Sequence, residues 1–114
     1  MIDAPESLPL GTLAPGESAR GILTLRNRRS EPLTVARVET TCPCIRLAPV
    51  PVTVAPNGEA MLRVEYDPSD QPDFRGELGV EVKGLDEVGQ LIFETRVLVE
   101  VASRHTELER VGRD

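Results

Sequence analysis

Both cysteines of the chain stand one residue apart in the stretch 39–46, which reads ETTCPCIR. Alternating, strand-like runs lie on either side of this stretch, and Pro43 restricts the backbone between the two cysteines. The pattern predicts a rigid corner between two halves of a β fold. It is also where unusual chemistry is to be expected, because thiolates bind soft metals and take part in redox reactions.

Apolar residues alternate with polar ones along most of the chain, which is the pattern of half-buried β-strands. The clearest runs are 18–26, 60–66, 74–83 and 90–101, and shorter runs cover 33–38 and 45–47. A step of three from Val35 to Val38 predicts a β-bulge near Ala36 or Arg37. The last run predicts a buried face made of Leu91, Phe93, Thr95, Val97, Val99 and Val101.

Turn signals separate these runs. Pro-Gly at 15–16 and Asn-Gly at 57–58 favour tight turns, and residues 27–32 and 84–89 are also predicted to turn. Pro5 and Pro9 leave room for only a short edge strand in residues 1–9. About seven short strands at this spacing predict an all-β, immunoglobulin-like β-sandwich over residues 1–101. The two cysteines are too close in sequence to form the inter-sheet disulfide of antibody domains.

Size and composition fit one such sandwich. A chain of 114 residues with 39% hydrophobic residues can bury one core and is near the usual size of a single domain. Residues 102–114 form a polar tail. Thr106 and Glu109 have the spacing of a helical capping box, and disorder of the tail is the alternative.

Charge and composition argue against several classes of partner. The net charge is -6 with both signs interspersed, whereas nucleic acids bind to basic stripes. The longest basic cluster, residues 26–29, falls at a predicted turn, where arginines are normally solvated. Aromatic residues make up 3%, so stacking on sugars or bases is not expected. No apolar run is long enough to span a membrane, and no signal-peptide pattern opens the sequence, which fits either a native start or a boundary left after removal of an export segment.

Five segments in a fixed order resemble a known bacterial family. They are GTLAPGE (11–17), NRRSEPL (27–33), VETTCPC (38–44), VAPNGE (54–59) and VEYDP (64–68). Over about residues 8–101 this order is similar to the family called domain of unknown function 1573, whose corner typically resembles SCGCT. The chain departs from that corner at Thr41, Pro43 and Ile45. The resemblance implies an immunoglobulin-like fold of the group similar to Hydin and major sperm protein, and a place in the bacterial periplasm or cell envelope. It implies no known reaction.

Three interpretations of Cys42 and Cys44 stay open. As thiolates the pair can bind Cu(I), which accepts few, soft ligands; a zinc site needs four, and His105 in the tail is the remaining good candidate, since Met61 falls on an outer face. As a redox pair the cysteines form a small ring. An extended tripeptide puts their Cα atoms near the upper limit for disulfides, so that bond is expected to be strained and easily reduced. As small apolar side chains, they pack under the corner.

Catalytic residues are scarce in the sequence. A single histidine in the tail argues against a Ser-His-Asp triad, and no glycine-rich phosphate loop is present. The aspartates at 67, 70 and 73 lack the glycine and final glutamate of a calcium hand. We therefore predict a non-catalytic interaction or structural module of the cell envelope, which binds another protein or a copy of itself through sheet edges or loops. The alternative is a thiol site at Cys42 and Cys44 that binds Cu(I) or acts as a redox switch.

Overall fold

The computed structural model describes residues 2–102, and over this range the fold is all-β, as predicted. Its nine strands are β1 (Ser7–Leu13), β2 (Ala19–Arg26), β3 (Leu33–Val35), β4 (Arg37–Thr40), β5 (Ile45–Ala48), β6 (Val52–Val54), β7 (Glu59–Tyr66), β8 (Gly76–Leu85) and β9 (Leu91–Val101). The structure has nine strands where about seven were predicted, because β3 and β4 are separated by one residue and β5 and β6 by three. Apart from Ala102, the predicted tail with His105, Thr106 and Glu109 lies outside the described residues. No helix within the described range is long and apolar enough to cross a bilayer.

Two main sheets form the sandwich. One has the strand order β1-β9-β8-β4 and the other the order β2-β7-β5, while β3 and β6 pair separately. β1 runs parallel to β9, and the remaining named pairs are antiparallel. Antiparallel sheets with one buried face need an apolar side chain at every second position. The alternation read from the sequence therefore reports the architecture directly.

The core lies between the two sheets and is almost entirely aliphatic. Phe93 is the one fully buried aromatic ring among the described residues. The alternation in β2, β7 and β8 turns one face of each strand toward the core. The side chains on that face are completely or partly buried, and Ala19, Ala60 and Leu78 are among the half-buried ones. The fully buried aliphatic side chains are Leu23, Leu25, Val35, Val54, Leu62, Val64, Val80, Val82 and Val97.

The start of β9 departs from the predicted alternation. Leu91 is 42% exposed, whereas Ile92 and Phe93 are both buried. The pairing register with β8 shifts here, because Gly84 faces Phe93 but Leu85 faces Leu91, which leaves Ile92 as an extra residue. Such a bulge moves the side chains before it to the opposite face. The prediction that Leu91 faces the core is therefore wrong.

The β8–β9 hairpin loop is shorter than residues 84–89. β8 continues through Gly84 because the ring of Phe93 covers that position: a Cβ there would lie 1.9 Å from Phe93 Cε2. The turn itself is organised by Asp86, whose Oδ1 accepts the backbone N–H groups of Val88 at 3.0 Å and Gln90 at 2.8 Å. The glycine that the sequence assigned to the loop is thus required for packing of the strand.

The divided strands change sheets. The N–H of Ala36 donates to the carbonyl of Leu85 at 2.8 Å, and Leu85 also pairs with Arg37. Two successive residues therefore meet one residue of β8, which is the bulge predicted at this position. The chain passes there from its pairing with β6 to its pairing with β8. Pro49 and Pro51 lie at the corresponding break between β5 and β6.

The N-terminal segment covers one long side of the sandwich. Asp3 exchanges backbone hydrogen bonds of 2.8 and 2.9 Å with Arg26 of β2, and β1 then pairs with β9 in the other sheet. Leu8 and Leu10 lie over Gly21, where a Cβ would be 3.8 and 2.7 Å from their Cδ2 atoms. The segment therefore bonds to both sheets and is longer than the short edge strand expected. We call this the closed side.

Candidate functional site

The cysteine corner connects the edge strands of the two main sheets. β4 ends at Thr40, β5 begins at Ile45, and between them Cys42 and Cys44 form a disulfide with Cα atoms 5.1 Å apart. The tripeptide is not extended, because the N–H of Ile45 donates to the carbonyl of Cys42 at 3.2 Å and closes a turn. The expectation of a Cα separation near the upper limit for disulfides is therefore wrong.

Hydrogen bonds fasten the corner to both sheets. The N–H of Thr41 donates to the carbonyl of Glu81 at 3.1 Å, and the Thr41 hydroxyl accepts the Glu81 N–H at 3.0 Å. At the end of β7, the N–H of Asp67 donates to the carbonyl of Cys44 at 2.8 Å. Cys42 and Cys44 are half-buried and pack against the core. The corner is therefore a fixed bridge between the sheets, as the sequence predicted.

A cavity of about 190 Å³ lies against the disulfide. Tyr66, Pro68 and Leu78 supply its apolar wall, and Asp67 and Asp70 lie at its acidic side. One water molecule occupies about 30 Å³ in the liquid, so the cavity has room for a few waters or one side chain of a partner. Both cysteines line this cavity together with residues of the loop 67–73.

Asp67 and Tyr66 set the charge of this cavity. The Asp67 carboxylate accepts hydrogen bonds from the hydroxyl of Ser69 and from its N–H at 2.9 Å, and Nη2 of Arg46 lies 3.3 Å from Asp67 Oδ2. The two Ser69 bonds, with a smaller contribution from Arg46, hold the pKa of Asp67 below its usual range. Burial, and then the charge of Asp67, raise the pKa of the Tyr66 phenol. At neutral pH the cavity therefore has a carboxylate beside an uncharged phenol.

Metal ligands do not cluster in the part of the chain that the structure describes. Within residues 2–102, no three His, Cys, Asp or Glu side chains come together as a metal site, the aspartates of the loop 67–73 included. Met61 is 62% exposed on an outer face, as its parity predicted. Sulfurs bonded to each other are not thiolates, so Cu(I) binding at Cys42 and Cys44 requires the reduced pair. That metal site stays a prediction.

A second concavity, of about 460 Å³, opens between β4 and β5. The two strands leave the corner in different sheets, so their edges stand apart until β3 and β6 pair at the far end. Val38, Ile45 and Leu47 contribute an apolar lining, and Arg37 and Arg46 flank it. We call this groove the open side, because it lies between sheet edges that the N-terminal segment does not cover.

Both walls of the open side are edge strands. The N–H of Thr41 bonds to β8, and period-two alternation then turns the backbone groups of Val38 and Thr40 away from β8. Cys44 bonds to β7 in the same manner, so the backbone groups of Leu47 face away from β7. Unpaired N–H and C=O groups of this kind are templates for another strand. The sequence predicted binding through sheet edges without indicating which ones.

A larger concavity, of about 490 Å³, lies on the outer face of β1, β9 and β8. It sits over Gly79, where a Cβ would be 2.7 Å from Nε of Arg96. Arg96 crosses this space and pairs with Glu81 at 3.2 Å. The charge of Arg96 in the wall of this depression is therefore already neutralised by a carboxylate of the chain itself.

The basic cluster at 26–29 is paired with carboxylates of the chain. Arg28 contacts Asp3, and Nη1 of Arg26 lies 3.4 Å from Oε2 of Glu59. These pairs are exposed and so contribute little to stability. They do lower the local positive charge, which weakens the cluster as an anion site and agrees with the solvated turn predicted there.

Asn27 is a buried residue that the sequence interpretation missed. Its side chain is fully buried, and its Nδ2 donates to the carbonyls of Glu31 at 2.7 Å and Val54 at 3.1 Å. Its Oδ1 accepts the N–H of Arg29 at 2.9 Å. Asparagine directly before a turn is typical of a side chain that bonds the backbone two residues on, and this was the available signal. By its hydrogen bond to Val54 of β6, Asn27 holds the end of the open side at which β3 and β6 pair.

Comparison with known families agrees with the fold. A model of the family described as HYDIN/CFA65/VesB-like, Ig-like domain matches residues 2–93. The match includes β1 to β8, the start of β9, both cysteines and the open side. It confirms the wider group that the sequence resembles. No curated protein matches the chain.

Three solved structures illustrate how the same fold recurs at 22% sequence identity or less. A protein of unknown function from Porphyromonas gingivalis W83 has a TM-score of 0.70 at 22% identity, over 87% of this chain and 46% of that one. WR4, an MSP family member from C. elegans, has 0.61 at 16%, over 90% and 98%. The CupB2 chaperone of Pseudomonas aeruginosa has 0.62 at 17%, over 97% and 61%. This chain spans less than half of the P. gingivalis chain, and these likenesses concern the fold alone.

Proposed function

This chain belongs to the HYDIN/CFA65/VesB-like family of Ig-like domains, and from that premise we propose that it is a non-catalytic module that binds another polypeptide. The open side carries the proposal, because β4 and β5 present unpaired backbone edges along an apolar groove. An extended segment entering the groove gains main-chain hydrogen bonds from an edge. Its alternate side chains are buried against the apolar lining.

The shape and chemistry of the groove suit an extended peptide better than a small molecule. Small-molecule sites enclose most of the ligand's surface, whereas this groove is open along the length of two strands. Its polar contacts come from backbone groups, which recognise any extended chain, and its specificity comes from side chains such as Val38 and Leu47. The whole sequence contains one histidine, so general acid–base chemistry near neutral pH has few candidates.

The proposed compartment is the bacterial periplasm or cell envelope. The resemblance to the domain of unknown function 1573 family supports this, since members of that family are commonly exported. The disulfide between Cys42 and Cys44 also supports it, because disulfides persist in oxidising compartments. Fractionation of the host cells, followed by detection with a specific antibody, tests this placement. Recovery of the protein in the cytosolic fraction with both thiols free to react with maleimide would contradict it.

Photo-crosslinking tests the binding mode. A photo-reactive amino acid is introduced in place of Leu47, which lines the groove, and in a second variant in place of Met61. Met61 is exposed on the outer face of β7 and serves as the matched control. In intact host cells we expect a discrete adduct from position 47 that is absent from position 61. The adduct should disappear with Val38→Pro, which removes an outward N–H and leaves the β8 ladder intact. The same adduct from both positions, or one that survives Val38→Pro, would contradict the proposal.

A second candidate function uses the reduced cysteine pair and the cavity beside it. Two thiolates at the edge of this cavity would offer Cu(I) the soft ligands that it prefers. In the redox version, an external thiolate such as glutathione attacks one sulfur of the disulfide. A mixed disulfide forms, the other sulfur leaves as a thiolate, and a second thiolate completes the reduction to the dithiol while the reagent is oxidised to its disulfide.

Anaerobic Cu(I) titration separates the metal version from the redox version. The reduced wild type should bind Cu(I) at one site per chain, and the double variant Cys42→Ser, Cys44→Ser should lose that site. Equal weak binding by both proteins would rule out the metal version. In buffers of defined glutathione ratio, the wild type should titrate between disulfide and dithiol. A pair that stays in one state across the physiological range would rule out the switch.

A further inference from the structure

The edge of β4 differs from the other three edges of the two main sheets. On the closed side β1 packs against β2, and Asp3 forms a bridge to Arg26 at the end of β2. β5 continues into Pro49 and Pro51, which have no backbone N–H to donate. β4 contains no proline, and the bulge at Ala36 lies just before its first residue. Its outer edge exposes the backbone groups of Val38 and Thr40, which face away from β8.

The side chains of β4 carry opposite charges on one face. Arg37 and Glu39 both point to solvent, are 63% and 60% exposed, and approach each other within 3.8 Å. Val38 and Thr40 are half-buried on the opposite face, toward the core. Natural sheet edges are protected against pairing by shortness, bulges, prolines, charged side chains or inward-pointing charges. β4 is short and charged and follows a bulge, but its charges are of both signs and point to solvent. The sequence of β4 is R-V-E-T, so its charges are complementary to those of a second copy of β4 that lies antiparallel to it.

We propose that a second copy of this chain pairs with β4, strand to strand and antiparallel, with the twofold axis at Val38. In this register the two Val38 residues form a hydrogen-bonded pair and exchange both N–H···O bonds. Arg37 of each copy then lies opposite Glu39 of the other in a non-hydrogen-bonded pair, where facing side chains are closest. Two cross-strand ion pairs form on one face, and two valines meet on the other. The result is one continuous sheet across both sandwiches.

Charge selects this register over its neighbours. The backbone groups that face away from β8 belong to the even-numbered residues of β4, so even-numbered residues of the two copies must pair with each other. The twofold axis of a symmetric antiparallel pair therefore passes through a residue and not between two residues. Val38 is one such residue. An axis at Arg37 would place two arginines opposite each other, and an axis at Glu39 would place two glutamates opposite each other. Like charges directly opposite destabilise a strand pair. The Val38 register is therefore the one that overlaps most of β4 and also compensates its charges.

Self-pairing through β5 lacks this complementarity. An axis at Leu47 places Arg46 opposite Ala48, and an axis at Arg46 places two arginines opposite each other. The proposal rests on the proposed function, since it names a copy of the chain as an occupant of the open side. The pairing area is small, so we expect a weak, concentration-dependent dimer.

A charge-swap experiment tests the register directly. Sedimentation equilibrium is run on the wild type, on Arg37→Glu, on Glu39→Arg, on their equimolar mixture and on the double variant, up to on the order of 1 mM protein. Each single variant places like charges opposite each other twice, so its self-association should be about tenfold weaker or more. In the mixture every introduced residue faces an opposite charge, so heterodimers should form about as tightly as the wild type. The double variant should recover self-association.

Folding controls accompany the swap. Both positions are exposed, so each single variant should retain the wild-type circular dichroism and melt cooperatively. Glu39 also faces Lys83 of β8, so Glu39→Arg is expected to melt slightly lower. Thr34→Glu on β3 is the matched control for added charge away from β4 and should associate like the wild type. High salt should weaken the wild-type dimer because it screens the exposed ion pairs.

The outcomes separate this inference from the proposed function. A wild type that stays monomeric throughout overturns self-pairing, and so does a mixture that associates no better than the single variants. The proposed function then still stands if the Leu47 crosslinker gives a heterologous adduct that Val38→Pro removes. If the mixture associates and that adduct proves to be a second copy of the chain, both proposals are supported by independent readouts.

Discussion

On the closed side of the sandwich the N-terminal segment bonds to both sheets, whereas on the open side two strands part and leave a groove between their edges. Asp3 pairs with β2 and β1 pairs with β9, while Leu8 and Leu10 fill the space over Gly21. On the open side β4 stays with β8 and β5 stays with β7. The closed side is therefore covered by the N-terminal residues of the chain, whereas those residues leave the edges of β4 and β5 uncovered.

The open side is nevertheless held at both ends. The pairing of β3 with β6 closes one end, where Asn27 bonds to Val54, and the corner of Cys42 and Cys44 closes the other. An edge that is fixed in place loses less entropy when it binds than a mobile one does. The comparison teaches that the groove is a built feature of the fold, because rigid anchors surround backbone groups that are left without partners.

The largest expected effect comes from the core that both sides share. Val97 is completely buried, whereas Val38 is half-buried at the open side. Val97→Asp or Val80→Asp places a charge without a partner in the core and should prevent folding, while Val38→Asp should give a folded, less stable protein. Circular dichroism and thermal melting check this. Soluble, cooperatively melting Val97→Asp would show that the faces of β9 are assigned wrongly.

A smaller effect is expected at the β8 neighbour of the open side. Gly84 pairs with Val38, and a Cβ added there would overlap the buried ring of Phe93, so Gly84→Ala should cost about 3 kcal/mol in urea unfolding. Gly79→Ala is the control. Its Cβ meets the mobile end of Arg96, which can move into solvent, so its cost should stay below about 1 kcal/mol. Equal costs at the two glycines would contradict the packing of Phe93 over Gly84.

Asn27→Ala should destabilise the end of the open side at which β3 pairs with β6. The substitution leaves the carbonyls of Glu31 and Val54 without their donor, so a loss of about 2 kcal/mol in the free energy of unfolding is expected. Amide exchange should become faster in β6 first. Arg29→Ala, which changes an exposed side chain in the same turn, serves as the control and should be nearly neutral. A neutral Asn27→Ala would remove Asn27 as the anchor.

The smallest expected effect is the pH dependence of stability that comes from Asp67, which lies beside the cysteine corner at the other end of the open side. The folded state lowers the pKa of Asp67, so its carboxylate stabilises the fold above the unfolded pKa of about 3.9, and this stabilisation is lost as the pH falls through the folded pKa. Ser69→Ala removes the leading cause, so an NMR titration should show the Asp67 pKa rising toward the ordinary value of an aspartate. Ser30→Ala changes an exposed serine that does not contact Asp67, so it serves as the control and should leave the Asp67 pKa unchanged. An unchanged Asp67 pKa in Ser69→Ala would contradict the assigned cause.

Residue patterns predicted the sandwich because alternation is a local property of each strand. β2, β7 and most of β8 follow it, apart from the exposed apolar residues Ile22 and Met61 on the outer faces. Alternation failed at Leu91, because a bulge is set by the pairing of β9 with β8 and not by either sequence alone. The bulge at Ala36 was predicted because its apolar residues themselves shift by one.

The candidate site was predictable in part for similar reasons. The corner is a short sequence feature, and its position between strands was correct. The open side was not predictable, because it depends on which sheets β4 and β5 join after the corner. Asn27 was read as part of a solvated basic turn, since burial of a polar side chain depends on carbonyls that lie far away in sequence.

Amide hydrogen exchange tests the contrast between the two sides most directly. It is measured by NMR on Arg37→Glu, which is monomeric whether or not wild-type copies pair through β4. We expect slow exchange at Asp3 and Arg26, whose N–H groups are bonded on the closed side, and fast exchange at Val38 and Leu47, whose N–H groups face the groove. Slow exchange at Val38 and Leu47, comparable to that at Asp3 and Arg26, would contradict an open side with available strand edges.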